Sequence, residues 1–179
     1  MVILALRTVS QRDAAGRFIF TQIKKSQTLQ EAAMSDLWAE RAFTADEAAT
    51  ISGVRRGTLG MWLIREPDIL FSGKVAGRRV FSPKDITILA TARELERGGM
   101  VLLTAIACAF EHLDEPPGDD AILLVHNGQV AHNAGRLIVD RDVPRITVDK
   151  SIQLIPIGMI AARVRGECAA IYGGTDVAV

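Results

Sequence analysis

The sequence predicts an α+β chain, in which a helical module with one glycine-rich hairpin over residues 43–113 precedes a small α+β unit over 121–179. Three observations carry that reading. Thr44-Ala45-Asp46-Glu47 and Ser82-Pro83-Lys84-Asp85 are strong helix starts. Asp114-Glu115-Pro116-Pro117-Gly118-Asp119-Asp120 cannot continue a helix and reads as a linker over 114–120. Beyond it, short apolar runs such as Ala121-Ile122-Leu123-Leu124-Val125 have the composition of buried strands.

The helical module is built from local signals. Thr44 and Glu47 can satisfy each other's amides, and Phe43 stands where a staple residue would pack. A helix therefore starts at Ala45, with Ala48 and Ile51 facing inward, and Gly53 ends it in a left-handed turn. A second helix follows from about Arg55 to Ile64, burying Leu59, Trp62 and Leu63. Glu66-Pro67 stops it. Ile69-Leu70-Phe71 and Val80-Phe81 read as two short strands, with Ser72 to Arg79 as the loop between them. Ser82 caps the next helix, which has Ile86, Leu89, Ala90 and Leu95 on its apolar face and breaks at Gly98-Gly99. A further helix over 101–113 is expected to bury Leu102, Leu103, Ile106, Ala109, Phe110 and Leu113.

Charge separates this module from the rest. The whole chain is neutral, with 21 basic and 21 acidic residues. Residues 53–97 nevertheless carry nine basic and five acidic side chains, whereas 98–117 carry three acids and no base. A positive segment of this kind is what a phosphate backbone attracts. The hairpin cations Lys74, Arg78 and Arg79 suit backbone or minor-groove contact.

The ordered set Phe43-Thr44-x-x-Glu47-Ala48-Ala49, Gly53-Val54, Thr58-Leu59, Trp62 and Arg78-Arg79-x-Phe81-Ser82-Pro83-x-Asp85-Ile86 resembles the MerR-type winged helix-turn-helix. Leu95-x-x-Gly98-Gly99 and Ala105-Ile106 resemble the helix pair that closes that domain. The resemblance covers the 43–113 module. It implies a homodimer on double-stranded DNA, with the second helix in the major groove and the hairpin on the backbone. The residues it assigns to DNA are Thr44, Arg55, Arg56, Thr58, Lys74, Arg78 and Arg79. Gly57 and Gly60 lie inside the second helix, and no long dimerising helix follows the module.

In the C-terminal unit, Asn127-Gly128 is a hairpin signal after the first strand, with Gln129-Val130-Ala131 returning. Leu137-Ile138-Val139, Ile146-Thr147-Val148 and Ile152-Gln153-Leu154-Ile155 are further strand candidates. A helix from Pro156 to about Arg165 would bury Ile157, Ile160, Ala161 and Val164. This unit is expected to dimerise the chain or bind a protein partner. His126 and His132 lack companion ligands, and Cys108 is expected to pack in a core. No catalytic constellation, metal site or cofactor is expected. Residues 1–42 are expected to be an N-terminal extension, disordered in part, with Met34 an alternative translation start. The first apolar run is too short to span a membrane and lacks a basic leader, so a cytoplasmic location is expected. The residues leave two alternatives open: a protein-interaction module such as an antitoxin or adaptor, and an architectural or recombination-directionality factor.

Overall fold

The computed structural model describes residues 37–65, 73–75, 77–126, 135–146 and 151–175. Expectations for 1–36, and for Ile69-Leu70-Phe71, Asn127-Gly128, Gln129-Val130-Ala131, His132 and Thr147-Val148, lie outside these residues. The first half holds β1 (Phe43–Thr44), α1 (Ala45–Ser52), α2 (Arg56–Arg65), β2 (Gly73–Val75), β3 (Arg78–Phe81), α3 (Pro83–Arg97) and α4 (Leu102–Glu111). The second holds β4 (Ala121–His126), β5 (Gly135–Val139), a 3-10 turn (Asp140–Arg145), β6 (Ile152–Ile155) and α5 (Ile157–Thr175). The architecture is α+β, with two antiparallel three-stranded sheets ordered β1-β3-β2 and β5-β4-β6.

Both predicted helix starts form as full reciprocal boxes. The Thr44 amide donates to Glu47 Oε2 at 2.7 Å, and the Glu47 amide donates to Thr44 Oγ1 at 3.3 Å. The Ser82 amide donates to Asp85 Oδ2 at 2.9 Å, and the Asp85 amide donates to Ser82 Oγ at 3.1 Å. This second box is buried. Desolvation pushes the Asp85 carboxyl above its ordinary value, and the Ser82 donors and Arg41 pull it back only in part. Gly53 ends α1 at φ 70°, as its position predicts, and Arg93 lies against it.

Helix α3 is the axis of the molecule. Its Ile86, Ile88, Leu89, Ala90, Ala92 and Leu95 are buried around most of its circumference, not along one stripe, because α1, α4, α5 and β6 all pack on it. In α4 the buried face is Ala105, Ile106, Cys108 and Ala109; Leu103 is 40% exposed, against expectation. The helix meets α3 along one stripe, and Leu103 falls outside that seam.

Four sequence expectations need correction. Trp38, placed in the N-terminal extension, is buried; its indole Nε1–H donates to Leu113 O at 3.3 Å, and its carbonyl accepts from the Lys84 amide at 3.0 Å. The expected loop from Ser72 to Arg79 is largely paired: Gly73↔Val80, Lys74↔Arg79 and Val75↔Arg78 form a ladder, and Gly77 turns at φ 78°. Phe43 and Thr44 form a strand on β3, a pairing too short to leave a periodic signal. Helix α5 runs to Thr175 and not to Arg165. Val164 and Cys168 keep its buried face going past Gly166, where a side chain would meet only open space.

The 114–120 segment joins two halves that share a core. One cluster of buried residues extends from Trp38 through Leu95 and Leu113 to Leu123, Ile155, Val164 and Cys168. Polar links reinforce it. The Gln153 amide donates to Gly98 O at 2.6 Å, and Arg163 Nη1 donates to Ile51 O at 2.8 Å. Asp114 itself is held by Lys84 at 2.8 Å.

Candidate nucleic-acid interface

The residues assigned to DNA occupy three places, and consecutive contacts connect them. Thr44 pairs with Val80 in the sheet, next to Arg79, and starts α1. Its hydroxyl also donates to Glu47 Oε2 at 2.8 Å, so its polar atoms are spent on the helix start. Two residues on, Asp46 accepts from Arg56 Nε at 2.6 Å, fastening the first turn of α1 to the first turn of α2. Both partners of that bridge are more than half exposed. Such a surface pair contributes about 0–1 kcal/mol, little enough for phosphate to compete for the guanidinium.

Arg55 stands just before α2, its carbonyl accepting from the Leu59 amide at 2.9 Å to close the first turn. Its side chain is exposed and makes no hydrogen bond or ion pair among the described residues. Thr58 is half-buried on the same helix. Leu59, Trp62 and Leu63 fill the inward face as the three- and four-residue steps predict.

In the hairpin, Arg78 is exposed at the strand start opposite Val75, and Arg79 is half-buried opposite Lys74 in register. Pairing of β3 with β1 fixes this hairpin to the residue that caps α1. An arginine on a strand has fewer orientations than one on an open loop. The tightened hairpin is therefore a better-organised cationic edge than the expected loop.

Sequence reasoning passed over the solvent face of α2. Met61 is 52% exposed and Ile64 81% exposed. With Gly57 and Gly60 they fall at i, i+3, i+4 and i+7, a helical stripe readable from spacing alone. Beyond its first turn the helix thus offers methyl groups and bare backbone, and cations only at Arg65. Arg93, which lies over the Gly53 turn, was likewise read only as part of a charge count.

The two cysteines are free and buried. Burial, with a nearby glutamate in each case, pushes Cys108 up to about 11 and Cys168 to about 12, so both thiols stay protonated at neutral pH and pack as small apolar groups. Among the described residues no helix is long and apolar enough to cross a membrane. No protein-family model matches the chain, and no curated protein matches it.

Proposed function

We propose that residues 43–113 form a winged helix-turn-helix of MerR-like type that binds double-stranded DNA, and that the chain is a cytoplasmic transcriptional regulator acting as a homodimer. One observation carries the reading. A cationic hairpin is paired through β3 to β1, and β1 leads directly into the capped helix of a helix–glycine–helix unit. Exposed Arg55 at the start of α2 and exposed Arg78 on the hairpin give that unit two cationic points. Arg56 and Lys74 add to them, Arg56 by exchanging Asp46 for phosphate. The dimer contact is assigned to residues 121–179. Leu137 on edge strand β5 and Leu154 on edge strand β6 are 44% and 39% exposed, which supports that assignment.

Crosslinking and immunoprecipitation of chromosomal DNA from cells expressing the chain tests the reading. Enrichment at discrete sites is expected; recovery no different from a mock precipitate would refute it. A second reading, a protein-interaction module, is favoured by exposed Met61 and Ile64 on α2. It predicts a stoichiometric protein partner that is lost on Ile64→Asp while the fold survives.

A further inference from the structure

A cleft between α1, α3, β6 and α5 plays no part in the DNA reading. Its volume is about 520 Å³, inside the range of roughly 300–1,000 Å³ typical of small-molecule sites. Both halves of the chain build it. Ile51 and Ala90 come from the helical module, Ile155 and Ile160 from the C-terminal unit, and together they make an apolar floor.

Four charged side chains line it: Arg93, Glu94, Arg163 and Glu167. Arg163 is committed, since its Nη1 donates to Ile51 O and to Glu167 Oε1, each at 2.8 Å. Arg93 is not. Its Nη1 lies 3.9 Å from Glu94 Oε1, beyond hydrogen-bond length, so its guanidinium keeps donors for another acceptor. A ligand bearing only an anion would meet Arg93 but also two carboxylates. One bearing only a cation would meet two guanidinium groups. A small molecule with both charges and an apolar body matches both signs and the floor.

We propose that this cleft binds an apolar zwitterionic amino acid, its carboxylate on Arg93, its ammonium toward Glu167 and its side chain against Ile155 and Ile160. Arg93 also lies over Gly53, the turn between α1 and α2. Occupancy would therefore brace that turn. The inference rests on the cleft alone and stands whether or not the chain binds DNA.

The test is calorimetric titration of the full chain with L-leucine, L-isoleucine, L-methionine and L-phenylalanine. At least one is expected to bind with a Kd of about 1 mM or tighter. Its N-acetyl and carboxamide derivatives, each lacking one charge, should bind about tenfold more weakly, as should the chain carrying Arg93→Gln. Ile160→Trp, which fills the cleft and leaves every charge in place, should abolish binding. Circular dichroism melts establish that each variant is folded. Absence of binding by all four amino acids would overturn the proposal. So would equal binding of the singly charged derivatives, or affinity unchanged in both folded variants.

Discussion

The hairpin and helix α2 are the two surfaces a winged helix-turn-helix would turn toward DNA, and they are built differently. The hairpin is short, paired on β1, and carries Arg78 and Arg79 in fixed register with Val75 and Lys74. Helix α2 has its exposed arginines Arg55 and Arg56 at its beginning; along its solvent face it then shows Gly57, Gly60, Met61 and Ile64. The difference concerns how each surface could hold a duplex. The hairpin can supply charge to a backbone of any sequence, whereas α2 can read base edges only with its first turn.

That contrast can be broken at the turn between α1 and α2. Gly53→Ala forces a side chain into φ 70°, at a cost of about 1–2 kcal/mol. The new Cβ would also stand 2.5 Å from Arg93 Nη1, so the arginine must move. A drop in urea midpoint at unchanged m-value measures the loss; an unchanged midpoint would show that the turn tolerates a side chain. Arg55→Ala removes a single cation from α2. If that cation contacts one phosphate, affinity should fall about eightfold at 0.1 M salt, and the salt slope should become shallower by about 0.9. Fluorescence anisotropy on a labelled duplex reads both, and identical isotherms would exclude Arg55 from the interface.

Gly57→Ala sharpens the contrast from the other side. A Cβ there meets nothing within 4 Å, so the helix should gain about 1 kcal/mol of stability. If only the first turn of α2 touches DNA, affinity should stay as it was. Greater stability with lost affinity would instead make the bare strip a contact surface.

A control outside both surfaces is Asp114→Asn. The Lys84 ammonium, through a hydrogen bond and its charge, holds the Asp114 carboxyl below its ordinary value of 3.8. Its stabilising contribution is therefore present above that value and fades as the pH falls through the lowered one. The effect at neutral pH should be the smallest of this set, and the variant's melting temperature should converge on the parent's in strong acid. A gap that persists there would mean that the residue acts through something other than its charge.

How much of this was legible depended on how far apart the interacting residues lie in the chain. Thr44 with Glu47, Ser82 with Asp85, and Gly53 act within one turn of backbone, and the residue types alone specify them. Leu59, Trp62 and Leu63 were legible because one helical period fixes one face. Trp38 on Leu113, Gln153 on Gly98 and Arg163 on Ile51 each join residues more than fifty positions apart. Nothing local distinguishes those side chains from surface ones, so a linker between two units was read where a shared core exists. The apolar stripe of α2 was legible in spacing, but a helix already assigned one buried face gave no reason to look for a second. For the candidate interface, Arg78 and Arg79 were identified by type and clustering. Their fixing on β1 was not, because a two-residue strand has no period.

The salt dependence of DNA binding by the parent chain and by the Arg78→Ala, Arg79→Ala double variant tests the central claim most directly. With both hairpin arginines on phosphates, the log–log slope should become shallower by about 1.8, and affinity at 0.1 M salt should fall roughly sixtyfold. A folded double variant with the parent's slope and affinity would contradict the hairpin's role.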